Sequence, residues 1–140
     1  MPVYGECGGF MYLCSELCDT DGNIFPMTGC LPYRITMLPK LKALGYRQIK
    51  LCENTVIGKK GDIIRGHEFH YSEITECKHK ADIKTVYNVS KRTDLNKTSE
   101  GFQTKRCLGS YIHLHFGSCP DAAKNFVETC LTYKREKGHI

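Results

Sequence analysis

The segment Pro2-Val3-Tyr4-Gly5-Glu6-Cys7-Gly8-Gly9-Phe10-Met11 constrains this chain more than any other. Its first residues read as the end of a strand, and from Gly8 the run Phe10, Met11, Leu13, Cys14, Leu17, Cys18 has the i, i+3, i+4, i+7 spacing of an amphipathic helix, expected to stop near residues 19–23. A strand that passes through Gly-x-Cys-x-Gly straight into a helix needs a sharp turn. The glycines on both sides of the cysteine give the backbone room for one. Such a unit sits at a sheet edge with a helix packed on it, which argues for the α/β class.

The rest of the chain supports that class. Extended segments are expected at Ile24–Leu31, Gly45–Leu51, Asp62–Arg65, Glu68–Ile74 and Ile83–Asn88, and the polar stretch 91–100 reads as a turn or exposed loop. Cys107–Phe116 alternates with a strand period. Asp121–Tyr133 follows Pro120 as a helix with Ala122, Phe126, Val127, Cys130 and Leu131 on one face. No repeat or linker divides the 140 residues, which suit one domain.

Composition excludes several classes. A net charge of +5 with no basic block beyond Lys59-Lys60 and Lys134 to Lys137 gives little support for nucleic-acid binding, and no apolar run approaches the roughly 20 residues of a membrane span. The nine cysteines are an odd number without a secreted framework, and no signal peptide precedes them. A reducing, cytoplasmic setting is therefore expected, with one cysteine doing chemistry and the others, Cys14 and Cys18 among them, serving as packing.

Cys7 is the candidate nucleophile. Placed at a helix N-terminus, it is expected to gain thiolate character from the dipole, with the Gly8 N–H free to face an oxyanion. A thiol nucleophile needs a base, and His113 and His115 lie two apart on a predicted strand, hence on one face. One could serve as base and the other as an auxiliary group. Arg65-Gly66-His67-Glu68-Phe69-His70-Tyr71-Ser72 is a second polar cluster whose histidines stand at i and i+3, not at the i and i+4 of the zinc-protease helix. It reads either as a strand edge with ordinary hydrogen bonds or as a substrate-facing segment. Zinc held by these histidines and a cysteine is the weaker alternative, because no Cys-x-x-Cys pair accompanies them.

Three segments together resemble a known family. Pro2 to Leu13, Arg65 to Ser72 and Ser110-Tyr111-Ile112-His113-Leu114-His115-Phe116, in this order and spacing, are similar to the glutaminase domain of cobyrinate a,c-diamide synthases. Met27 to Pro32 and Leu41 to Tyr46 look like that family too. The resemblance implies an α/β, class I glutamine amidotransferase-like fold, a Rossmann-like or flavodoxin-like sheet flanked by helices and incomplete at the N-terminus. Residues 1–140 are then expected to be the C-terminal part of a glutaminase domain without its ATP-binding synthetase domain.

It further implies that Cys7 attacks the side-chain amide of glutamine, that His113 raises the nucleophilicity of Cys7, and that Gly8 supplies an oxyanion N–H. His115 stands where the wider class carries an acidic residue, leaving open what orients His113. His67, Glu68, His70 and Tyr71 are expected to face the corrin precursor, cobyrinate, or the synthetase domain. No metal or cofactor is expected in this chain; ATP and Mg2+ belong to the synthetase, which carries the phosphate loop missing here, and a homodimer is a further candidate partner. Two alternatives stay open: a nickel-sirohydrochlorin a,c-diamide synthase glutaminase, and a non-catalytic remnant that docks to a synthetase.

Overall fold

The computed structural model of the protein describes residues 1–77, 82–91 and 94–138. The chain order is β1 (Val3–Glu6), α1 (Gly8–Leu13), β2 (Glu16–Cys18), β3 (Ile24–Pro26), β4 (Tyr33–Met37), β5 (Ala43–Leu51), β6 (Ile63–His70) and β7 (Ser72–Cys77). It continues with β8 (Lys84–Lys91), β9 (Asp94–Thr104), β10 (Cys107–Ser110), β11 (Ile112–Leu114), a 3-10 turn at Phe116–Ser118 and α2 (Asp121–Glu136). These form a seven-stranded sheet, β1-β10-β9-β8-β5-β6-β11, and a four-stranded sheet, β3-β2-β4-β7. The α/β class is as expected. Among the described residues parallel pairing is confined to β1 with β10 and β2 with β4, and the other ladders are antiparallel.

Two single-residue corners shape the molecule. Tyr71 separates β6 of the large sheet from β7 of the small one. Tyr111 separates β10 from β11, which are second and last in the large sheet, so that sheet must curl until its two ends meet. The predicted strand Cys107–Phe116 is thus two strands. The seam between β1 and β11 is closed by the Leu114 N–H, which donates to Glu6 Oε1 at 2.8 Å.

The predicted first helix is shorter than its apolar spacing suggested. It stops at Leu13 because Cys14 turns to extended backbone (φ −73°, ψ 176°), and Leu17 and Cys18 pair in β2 instead. Cys14 is buried in the core beside Phe10, Leu13, Leu31, Ile35 and Tyr111, while Cys18 is only half buried. No disulfide joins the described cysteines, and Cys30 and Cys77 are exposed rather than buried. Full burial of a side chain such as Phe10 contributes roughly 1.5–3 kcal/mol.

A second core, with Ile49, Leu51, Val56, Ile57, Ile64, Val86, Tyr87, Leu108 and Ile112, lies beneath Ala122 and Phe126 of α2. The predicted helix face rotates: Val127 and Leu131 are exposed, whereas Ala122, Phe126 and Thr129 turn inward, the last donating to the Val56 carbonyl at 3.4 Å. The polar stretch 91–100 is mostly strand, since β9 pairs with β8 through backbone groups that its exposed Thr98 and Ser99 do not disturb. Residues 92 and 93 of the expected loop lie outside the described residues. No described helix is long and apolar enough to cross a membrane.

Glu100 lies under the Tyr111 corner, where its carboxylate accepts the Ser110 hydroxyl at 2.6 Å and the Tyr111 N–H at 2.8 Å. Burial pushes the carboxyl up to about 7 even though these bonds pull it down. A raised folded-state value means that the native state holds the proton longer than the unfolded chain. Its contribution to stability is therefore full below the ordinary carboxylate range and is lost as pH rises through about 7. Glu100→Gln, which cannot ionise, should gain on the wild type by on the order of 2–3 kcal/mol between pH 5 and pH 8 in urea unfolding. A difference independent of pH would refute the assignment.

Candidate active site

The turn predicted at Cys7 is present, and its geometry is specific. β1 runs parallel to β10 with Gly5 opposite Gly109 and Glu6 opposite Ser110, and the Cys7 N–H donates to the Ser110 carbonyl at 2.8 Å. Cys7 then adopts φ +47° and ψ −105°, and its carbonyl accepts the Met11 N–H at 3.0 Å, opening α1. A side chain held in that region costs of order 1–3 kcal/mol and persists only where the surroundings enforce it. Gly5 is part of the enforcement. A Cβ there would lie 2.9 Å from the Gly9 backbone and 2.7 Å from Leu13 Cδ1, so the bare strand lets the helix sit directly on it.

The Cys7 thiol points to β6, its Sγ 3.7 Å from the Phe69 carbonyl oxygen. Burial pushes the thiol above its ordinary value; the Gly8 N–H pulls it down and the Glu6 carboxylate pushes it up. The expected gain of thiolate character at the helix N-terminus is therefore not realised, because desolvation outweighs what a helix of six residues supplies.

His113 arrives on β11 in register with His67 of β6, and the two imidazoles stack at 4.8 Å between centroids with 10° between planes. Gly66 makes this possible. A Cβ on Gly66 would lie 2.2 Å from the His113 carbonyl oxygen, so any side chain would displace the strand that carries the histidine. His113 Nδ1 is 3.8 Å from Glu6 Oε2. The other oxygen, Oε1, accepts the Tyr4 hydroxyl at 2.5 Å and the Leu114 N–H at 2.8 Å. Cys7 lies against Phe69 of β6, and His113 lies against His67 two residues away on the same strand and beside Glu6, where the sheet closes.

The remaining candidates divide. His67 faces outward and stacks on His113, and exposed Tyr71 packs edge-to-face on Phe69. Together with Leu44 and Tyr46 they make an exposed, largely aromatic rim beside Cys7. His115 begins the 3-10 turn, its ring against Gly117, and it lines a hollow with Tyr46, Arg65, Gly66, His67 and Ser118. Glu68 and His70 face inward: Glu68 holds Arg47 Nε at 2.7 Å and His70 Nε2 at 2.8 Å, and His70 Nδ1 donates to the Ser72 carbonyl at 2.8 Å. These two belong to the support behind the rim. Glu6 had no role in the sequence reading, although strand alternation puts it on the face of Tyr4, toward the seam. No cluster of three or more His, Cys, Asp or Glu side chains among the described residues could hold a metal ion.

Residues 1–120 match the model of the CobB/CobQ-like glutamine amidotransferase domain. The chain belongs to this family. It is 40% identical over 131 residues to the cobyrinate a,c-diamide synthase of Leptospira interrogans serovar copenhageni, covering 94% of this chain and 29% of that protein. The match to the Syntrophotalea carbinolica enzyme of the same name is 40% over 129 residues, 92% of this chain and 28% of that one. The chain therefore spans a little under a third of the length of these relatives. Among solved structures, a protein assigned as a GMP synthase subunit in Thermoplasma acidophilum aligns with TM-score 0.59 at 16% identity, covering 98% of this chain and 61% of that one. A glutamine amidotransferase aligns with TM-score 0.57 at 13% identity, covering 91% and 60%. Both share the fold of the domain described above.

Proposed function

We propose that this amidotransferase domain hydrolyses glutamine to glutamate and ammonia, and that the ammonia serves amidation of the a and c carboxylates of cobyrinate. The strand-to-helix turn at Cys7 and the position of His113 on β11 beside Glu6, both against β6, support the first half. The relatives' shared name supports the second.

In this reading the Cys7 proton passes to His113 as Sγ attacks the amide carbon of glutamine, giving a tetrahedral intermediate whose oxyanion meets the Gly8 N–H. Collapse breaks the carbon–nitrogen bond, and His113 returns the proton to the leaving amine, releasing ammonia and a glutamyl thioester. Water, deprotonated by His113, cleaves the thioester to glutamate and restores the thiol. The aromatic rim and His67 would face the acceptor side, a synthetase domain or the corrin. ATP and Mg2+ would act on such a synthetase domain.

The test is ammonia release from glutamine with Cys7→Ser as the blank, followed by amide transfer with a synthetase domain offered cobyrinate or nickel sirohydrochlorin. Hydrolysis above the blank with transfer to cobyrinate is expected. Transfer confined to nickel sirohydrochlorin would move the acceptor assignment, and hydrolysis equal to the blank would defeat the enzymatic reading.

A further inference from the structure

An imidazole base works only if its far nitrogen is protonated, leaving the near one free to take a proton, and a carboxylate at the far nitrogen is the usual means of fixing that tautomer. Among the described residues, the carboxylate within ion-pair distance of His113 is Glu6, whose Oε2 lies 3.8 Å from Nδ1. Its other oxygen is already occupied by Tyr4 and by the Leu114 N–H. The nearby alternatives are committed elsewhere: Glu68 to Arg47 and His70, Glu100 to Ser110 and Tyr111. His115, two residues past His113, lies on Gly117 in the 3-10 turn.

We propose that Glu6 is the positioning residue for His113. Its doubly bonded Oε1 anchors the carboxylate to both strands of the seam, and Oε2 is presented to Nδ1, keeping the proton there and Nε2 open to the thiol. Because the Leu114 N–H that Glu6 holds is next to His113 in the chain, the same carboxylate fixes both the strand and the ring. Because Glu6 immediately precedes Cys7, thiol and carboxylate ride on one turn and stay in register. The arrangement also suits a thiol that burial keeps protonated. The Glu6 charge opposes a lone thiolate but favours the imidazolium that forms when the proton moves to His113. This inference deepens the glutaminase reading and rests on it for the role of His113.

The test is Glu6→Gln in the full chain, read by 15N NMR of the His113 ring and by the rate at which a glutamine chloroketone labels Cys7. The glutamine side chain keeps an oxygen for Tyr4 and Leu114 but presents an amide to Nδ1. His113 should switch from the Nδ1–H to the Nε2–H tautomer, and labelling should slow by about 10²-fold. Glu6→Asp, which retains the charge, should restore the Nδ1–H signal and part of the rate. An unchanged tautomer in Glu6→Gln overturns the proposal, as does a rate loss that follows the melting temperature alone. The tautomer tests Glu6 whether or not His113 is the base. His113→Ala in the same labelling series tests the base, so the two failures are distinguishable.

Discussion

Replacing His113 with alanine is expected to slow glutamine-directed labelling of Cys7 by about 10²–10⁴-fold at pH 7. The size follows from the state of the thiol. Burial holds Cys7 above its ordinary value, so at neutral pH only a small fraction of it is ionised without help. A site with a preformed thiolate would lose little on removal of a base. In the proposed mechanism the proton leaves at the moment of attack and passes to His113, which lies beside Glu6 at the closed seam. The pH profile makes the distinction sharp. In His113→Ala the remaining rate should rise with pH into the alkaline range, tracking thiolate alone. A His113→Ala chain that labels like the wild type at pH 7 would remove the histidine from the mechanism.

How much of this site could be read from the sequence depended on how local each feature is. Gly5, Cys7 and Gly8 specify their turn within a few residues, so the elbow was legible, and the observed φ of +47° at Cys7 is the physical content of the motif. His113 was legible through the alternation of its strand. What alternation does not carry is a corner. Buried residues run on from Leu108 to Ile112 without a break, and nothing local marks Tyr111 as the point where β10 ends and β11 crosses to the other end of the sheet.

The role of Glu6 depends on that closure, because its partners Leu114 and His113 are more than a hundred positions away. The end of α1 was hidden for the same reason: Leu17 suits a helix face or β2 equally well, and pairing with Phe25 and Ile35 decides it. Glu68 and His70 looked like substrate ligands because ionisable residues are rarely buried. They are buried here because Arg47, from the neighbouring strand, supplies the countercharge.

That countercharge sets the largest expected loss of stability. Glu68→Ala should destabilise the fold by about 3–5 kcal/mol, because it leaves the Arg47 guanidinium, 7% exposed, without its partner. For a chain of this length that corresponds to a fall in Tm of about 10–15 °C. The double substitution Arg47→Met with Glu68→Leu should be milder than Glu68→Ala alone, because no charge is then left unpaired and apolar groups fill the space.

The acid limb of the stability curve gives an independent check. Burial by itself pushes the Glu68 carboxyl up, but hydrogen bonds from His70 and Arg47 outweigh it and hold the group below its ordinary value. A lowered folded-state value contributes stability that is present above the ordinary carboxylate range and is lost as pH falls through the lowered one. The wild type should therefore lose part of its advantage over Glu68→Ala as pH drops below about 4, the opposite slope from Glu100. Glu68 also pairs in register with Ile112, the residue before His113. If the network is what keeps β6 and β11 in place, Glu68→Ala should lose Cys7 labelling at temperatures well below global unfolding. Labelling that persists up to the melting transition would show that the seam at Glu6 holds the site without the buried network behind it.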